Sequence, residues 1–252
     1  MKINLQKFIA ASGHCSRRKA GDLIKEKKIK VNGKLAELGM KVDENDKVEV
    51  VAQNRTTVLN YSPEQPENLI YIKLNKPIGY TCTNRKFKGE KNIFELLTAF
   101  PQNTNRLFAA GRLDKNSRGL VLLTNDGDLV QKLTHPSFGH EKEYLVSIIP
   151  TDKGSASRRR VVKTILEKFQ SGIRIPDGMA KAKEIKYLNN NKFSIILTMG
   201  KKRQIREMFK KMGYDVKDLQ RVRIGGLKLG DLKEGGFEVL SKQEAEDLTA
   251  KT

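Results

Sequence analysis

One carboxylate stands among cations in the stretch GRLDKNSRG, residues 111–119: Asp114 has Arg112 before it and Lys115 and Arg118 after it. Neighbouring positive charge favours the ionised form of a carboxylate. Asp114 is therefore expected to act as a nucleophile or general base and is unsuited to a general acid. Glycines at 111 and 119 allow a sharp backbone turn or the close approach of a substrate. The competing reading is a solvated loop whose ion pairs are incidental and weak. No second carboxylate lies at a matching spacing, so the paired acid and base of a glycosidase find no support. Neither a Walker loop nor a serine nucleophile motif occurs. GGLKLG at 225–230 follows a strand but opens no helix, so neither a nucleotide cofactor nor any other is expected.

A second basic concentration, GKKRQIREMFKKMG at 200–213, sets Lys201, Lys202, Arg203, Arg206, Lys210 and Lys211 against the single acid Glu207. Ile205, Met208, Phe209 and Met212 recur at helical spacing and belong in a core. Arg203 and Arg206, three apart, can project from the start of one helix toward one site. Side chains and free N–H groups at such a turn can hold phosphates together; an ordinary solvated helix face is the alternative.

The whole chain shares this bias. Its 252 residues carry 49 Lys+Arg against 29 Asp+Glu, a net charge of +20, which calls for a polyanionic partner. Nucleic acid fits better than a membrane, because no basic amphipathic helix with bulky aromatics occurs and no apolar run nears the roughly 20 residues of a span. With 38% hydrophobic and 31% charged residues the chain is expected to be globular and cytoplasmic, its N-terminus part of the fold. The two cysteines, Cys15 and Cys82, lie far apart and outside any C-x-x-C spacing, so neither a disulfide framework nor a structural zinc site is expected. Of the three histidines, at 14, 135 and 140, His135 and His140 are five apart with no acidic or thiol partner at ligand spacing, so no metal site is expected.

The elements that must position these groups form an α+β pattern. Residues 1–52 read as a small module of two helices and short strands. Leu5, Phe8 and Ile9 mark the first helix, Ser16 caps a second with Ala20, Leu23 and Ile24 on its apolar face, and Asn32-Gly33 signals a hairpin after Ile29 and Val31. Residues 53–68, polar and with two prolines, read as a linker. Residues 69–252 then alternate strands and helices. LIYIKLNKP is a strand, NIFELLTAF a short helix, and 107–110 and 120–123 are buried strands. DGDLVQKLTH is a helix with Asp126 at its positive end, and EKEYLVSII is a strand. ASRRRVVKTILEKFQSG is a helix closed by Gly172, AKEIKYLNNNKFSIILTM a hairpin, KKRQIREMFKKMG a helix ending at Gly213, and VKDLQRVRIGGLKLGDL a strand and glycine-rich turn. Strands outnumber helices and short turns join several of them, so a mixed, largely antiparallel sheet flanked by helices is expected.

GRLDKNSRGLVLLTNDGDL resembles the signature of the RNA pseudouridine synthases, in the bacterial ribosomal-RNA branch that carries an N-terminal S4 RNA-binding domain. LQKFIAASGHCSRRKAGDLIKEKKIKVNGK is similar to the S4 pattern. HEKEYLV resembles the family's tyrosine-bearing strand, and GKKRQIREMFKKMGYDVKDLQRVRIGGLKLGDL its C-terminal motif. The resemblance runs through nearly the whole chain in the family's order. One departure is visible: Ser117-Arg118-Gly119 stands where the family usually has Thr-Ser-Gly or a similar polar pair before the glycine.

The resemblance implies that Asp114 is the catalytic aspartate, attacking the sugar or abstracting a proton from it. The N1–C1′ bond of a uridine breaks and C5–C1′ forms, without a cofactor. It implies that Arg206 pairs with Asp114, that Tyr144 packs on the target base, and that Arg112 helps hold RNA with that nucleotide extruded. Arg203 and Lys202 join it in binding RNA. In the S4 module Arg17, Arg18, Lys28 and Lys30 are the expected contacts to the RNA backbone. The implied partner is ribosomal RNA, with a lean toward the large subunit, and a monomer is the simplest assembly. The alternatives are a non-catalytic RNA-binding or ribosome-assembly protein and, with less support, an RNA hydrolase using Asp114.

Overall fold

A computed structural model of the chain describes residues 2–52, 55–60, 69–83, 87–97, 100, 107–151 and 158–248. Its contacts divide it into two compact units, Met1–Asn68 and Leu69–Thr252.

The first unit runs β1 (Ile3–Asn4), α1 (Leu5–Ala11), α2 (Arg17–Lys25), β2 (Ile29–Val31), β3 (Lys34–Leu35), β4 (Lys41–Val42), β5 (Val48–Ala52) and β6 (Arg55–Leu59). Both helices start where a short polar side chain accepts an otherwise free N–H: Asn4 from Gln6 and Ser16 from Lys19. Asn32 and Gly33 both take positive φ, 51° and 80°, as a two-residue hairpin turn requires. The helices bury Leu5, Phe8, Ile9, Ala20 and Ile24 against Ile29, Val42 and Val48. A sheet ordered β3-β2-β5-β6 closes the unit.

Strand β6 corrects the expectation of a linker over 53–68. Residues 55–59 pair antiparallel with β5 as an outer strand. Four of its five residues are exposed, so no apolar pattern distinguishes it from loop. Residues 53–54 and 61–68 of that stretch lie outside the described residues.

The second unit contains β7 (Tyr71–Lys76), a 3-10 turn at Ile93–Leu97, β8 (Phe108–Ala109), β9 (Arg118–Thr124), α3 (Gly127–Thr134), β10 (Lys142–Pro150), α4 (Arg158–Ser171), β11 (Ile173–Ile175), β12 (Gly178–Ala180), β13 (Glu184–Asn189), β14 (Lys192–Leu197), α5 (Gln204–Lys211), β15 (Tyr214–Ile224), β16 (Leu227–Lys228), β17 (Phe237–Val239) and α6 (Lys242–Asp247). The nine-stranded sheet follows the path β13-β14-β10-β15-β9-β7-β17, with β16 on β15 and β8 on β9. Its one parallel pair among the described strands is β9–β15. This is the mixed, mostly antiparallel α+β sheet expected from the strand pattern. The expected strand at 107–110 is only the two residues of β8, and the short helix expected in NIFELLTAF is present as a 3-10 helix over 93–97.

Strand β9 shows why its sequence is an unbroken apolar run. Val121 and Leu123 face the larger core with Ile72, Leu74, Val146 and Phe209, while Leu120 and Leu122 face a second core with Leu129, Leu133 and Leu240. A strand covered on both sides has no solvent face to carry polar residues. Asn190 and Asn191 turn the β13–β14 hairpin at positive φ. No described helix is long and apolar enough to cross a membrane.

Candidate active site

Asp114 lies in the loop from β8 to β9. Leu113 just before it is buried, and its N–H donates to the buried Cys82 sulfur at 3.4 Å. After it the chain turns back, the Ser117 N–H donating to the Asp114 carbonyl at 3.0 Å. Two cations hold this turn from within. Lys76, at the end of β7 and fully buried, donates from Nζ to the carbonyls of Pro77 (2.9 Å), Lys115 (3.3 Å) and Ser117 (2.5 Å). Burial pushes its ammonium down to about 8, against the opposing pull of Cys82 and Asp114. Arg206 donates from Nη2 to the Asn116 carbonyl at 2.6 Å and the Ser117 hydroxyl at 3.2 Å, and from Nη1 to the Val216 carbonyl at 2.9 Å.

Sequence neighbours do not ring the Asp114 carboxylate as expected. Lys115 turns to Glu90 at 3.1 Å, and Arg118 turns to Asp218 at 2.7 Å. Arg112 is exposed. Among the described residues the guanidinium nearest the carboxylate is that of Arg203, with Nη1 3.9 Å from Oδ2. Arg206 therefore does not make the direct pair expected of it; among the described residues it grips the loop that carries Asp114. The reason is solvation. The Asp114 side chain is 41% exposed, so water can satisfy it and no tight buried pair is required.

Arg203 owes its position to local backbone. It precedes α5 at φ 52°, ψ 28°, a left-handed conformation that is uncommon for a residue with a side chain, and it forms no side-chain cap. Asp177, at the tip of the β11–β12 hairpin, fixes this turn. Its carboxylate accepts the Lys202 N–H at 3.0 Å, and its carbonyl accepts Lys201 Nζ at 2.8 Å. Gln204, buried, accepts the Lys201 N–H at 3.1 Å. Lys202 itself remains exposed beside Arg203.

Tyr144 is reached by register. It pairs with Arg221 on β15, Arg221 pairs with Gly119 on β9, and Gly119 pairs with Lys76 on β7. One row thus crosses four strands, with neighbours about 4.8 Å apart. It carries the tyrosine, two buried cations and the glycine that closes the Asp114 loop. Tyr144 is 9% exposed and part of the larger core, and Arg221 is 1% exposed. Arg221 Nε donates to the Leu120 carbonyl at 2.7 Å, and its Nη2 has no partner among the described residues. Gly119 is needed for this row. At φ 104° a Cβ there would lie 2.3 Å from the Arg221 carbonyl oxygen, so the glycine serves strand contact and not the approach of a substrate.

Lys76, Arg221 and Asp177 are the site residues that the sequence reading missed. Lys76 had one visible mark, a lysine ending an apolar strand directly before Pro77. In the first unit Arg17 and Arg18 are exposed on the opening turn of α2, Lys28 is exposed and paired with Glu26 at 2.7 Å, and Lys30 is half-buried on β2.

Comparison with known proteins gives two family matches: RNA pseudouridylate synthase over residues 70–211 and S4 domain over residues 3–48. The chain is 38% identical over 253 residues to the ribosomal large subunit pseudouridine synthase B of Bacillus subtilis, covering 98% of this chain and 95% of that protein. It is 36% identical over 247 residues to the dual-specificity RNA pseudouridine synthase RluF of Escherichia coli K12, covering 98% and 78%. A crystal structure of a pseudouridylate synthase superposes with a TM-score of 0.65 at 26% identity, covering 98% of this chain and 99% of that one.

Proposed function

Because the chain belongs to the RNA pseudouridine synthase family and carries an S4 domain, we propose that it converts one or a few uridines of ribosomal RNA to pseudouridine, with Asp114 as the catalytic carboxylate. The observation that carries this reading is a partly exposed carboxylate on a loop pinned from beneath by Lys76 and Arg206 and faced by Arg203. Such a group is open to a substrate while its backbone is held still.

In this reaction the N1–C1′ bond of uridine breaks and a C5–C1′ bond forms; C5 gives up its hydrogen as a proton and N1 gains one. Substrate and product are isomers, so the balance needs no oxidant or reductant. A uridine inside a stacked helix cannot reach a protein side chain, so the base must leave the stack at a cost of about a few kcal/mol. Arg112, Lys202 and Arg203, charged and at the surface around Asp114, are suited to hold the phosphates of the distorted strand and offset that cost. Tyr144 is assigned the contact with the extruded base, and at 9% exposure it would offer only the small part of its ring that the core leaves open. Arg17, Arg18, Lys28 and Lys30 of the S4 unit would bind RNA backbone and orient the enzyme by shape.

The large ribosomal subunit is the favoured source of substrate, a reading supported by the similarity to the ribosomal large subunit pseudouridine synthase B of Bacillus subtilis. A non-catalytic RNA-binding role is the weaker reading, since Asp114, Tyr144 and Arg206 are all retained. The test is to incubate the protein with unmodified transcripts of both large- and small-subunit ribosomal RNA and map pseudouridine at nucleotide resolution. New pseudouridine in the large-subunit transcript is expected; none in either would overturn the reading.

A further inference from the structure

We infer that Arg118 and Asp218 form a positioning pair that holds the Asp114 loop against the strand carrying the partner groups; this rests on the function proposed above. The two side chains are 100 residues apart in sequence and meet as a two-pronged fork, Nε to Oδ1 at 2.9 Å and Nη2 to Oδ2 at 2.7 Å. This is the geometry in which an arginine–carboxylate pair adds direction as well as energy.

The fork's position gives it consequence. The large sheet has two parts, β13-β14-β10-β15 with Tyr144 and β9-β7-β17 with the Asp114 loop, joined at the β9–β15 seam. That seam is short, with only two register pairs, Gln220–Arg118 and Arg221–Gly119. Arg118 is the first residue of β9 and Asp218 lies two residues before Gln220, so the fork staples the seam at the end where the Asp114 loop leaves it. Immediately before Arg118 is Ser117, whose carbonyl and hydroxyl accept from Lys76 and Arg206. Two residues before Asp218 is Val216, whose carbonyl accepts the other arm of Arg206. Asp218 also attracts Arg206 electrostatically, so its carboxylate serves two guanidiniums. Arg118, the charge that departs from the signature pattern, is thus occupied inside the fold, with Glu234 a further 3.9 Å neighbour, and is not a spare contact for RNA.

The pair acts through Asp114 and does not touch the reacting nucleotide. A misplacement of about 1 Å at a reacting group can cost roughly a hundredfold, and loss of one staple should cost less. The test uses the full chain, with ribosomal RNA transcripts tritiated at uridine C5 and tritium release as the rate. Arg118→Ala and Asp218→Ala should each lower kcat about tenfold with KM changed less than about twofold. The double substitution should be no worse than Asp218→Ala alone, and Asp218→Glu should recover most of the loss. Hydrogen exchange of the Ser117 amide in the RNA-free protein, about tenfold faster in Asp218→Ala, reads the loop without reference to activity. Arg223→Ala, which breaks two separate ion pairs, with Glu143 of β10 at 3.0 Å and with Glu141 at 2.9 Å, is the control and should leave both readouts unchanged.

Unchanged kcat and exchange in Asp218→Ala, or an equal loss of kcat in Arg223→Ala, would overturn the inference. A wild-type protein that releases no tritium would instead count against the proposed function, and the exchange measurement would still decide the pair.

Discussion

Arg203 Nη1 stands 3.9 Å from Asp114 Oδ2, while Arg206, one helical turn on, binds the backbone of the loop that carries the carboxylate. Two arginines of one motif thus divide the work. One faces the charge and the other fixes its support.

The division predicts different phenotypes. Arg206→Ala removes three hydrogen bonds and leaves the buried Ser117 hydroxyl without that donor, so it should lower stability by about 1–3 kcal/mol as well as activity. Arg203→Ala breaks a long pair between side chains 44% and 41% exposed and should leave stability within about 0.5 kcal/mol while still reducing activity. Urea unfolding of the two variants beside tritium release separates them. Equal losses of stability would contradict the division.

Gly119→Ala tests the sheet row. Its Cβ would sit 2.3 Å from the Arg221 carbonyl oxygen at a φ of 104°. A backbone atom cannot swing aside as a side chain can, so the seam must open. A loss on the order of 2–4 kcal/mol is expected by chemical denaturation. A near-neutral result would mean that β9 and β15 do not approach so closely.

Lys76 sets a pH dependence. Its folded value is about 8, below the ordinary lysine value of 10.5. Between these values the unfolded chain holds a proton that the folded chain has released, so the free energy of unfolding rises with pH through that window. Below pH 8 both states are protonated and the folded state bears the whole cost of the buried charge. Lys76→Met should flatten the rise between pH 8 and 10, measured as urea midpoints. A variant with the wild-type slope would assign the dependence to another group.

RNA affinity should fall with salt because phosphate contacts release counterions. Arg17 and Arg18 are exposed on α2 and proposed to meet RNA backbone. Replacing both by alanine should reduce the slope of log K against log salt by roughly one to two. An unchanged slope would assign that face of the S4 unit to another partner.

Periodicity made much of the fold legible. The helices of 5–11, 17–25 and 204–211, the hairpins at 32–33 and 190–191, and the doubly buried β9 all announce themselves by apolar spacing or by turn residues that accept positive φ. The outer strand β6 did not, because an edge strand with four exposed residues lacks the alternation that burial imposes. Asp114 was visible as chemistry, and its neighbours were misleading. Lys115 and Arg118 flank it in sequence, but folding hands them to Glu90 and Asp218. Nothing local marks a lysine or arginine as buried, so Lys76 and Arg221 looked like members of a solvated surplus. Asp177 was hidden in the β11–β12 hairpin, whose contribution appears only when its tip meets the start of α5.

The most direct test of the central claim is pseudouridine formation by Asp114→Asn, which keeps shape and volume but removes the charge. No detectable pseudouridine in ribosomal RNA is expected, with binding to the same RNA within about twofold of wild type, since phosphate contacts from other residues carry the affinity. Pseudouridine formed at the wild-type rate by this variant would contradict the assignment of Asp114 as the reacting carboxylate.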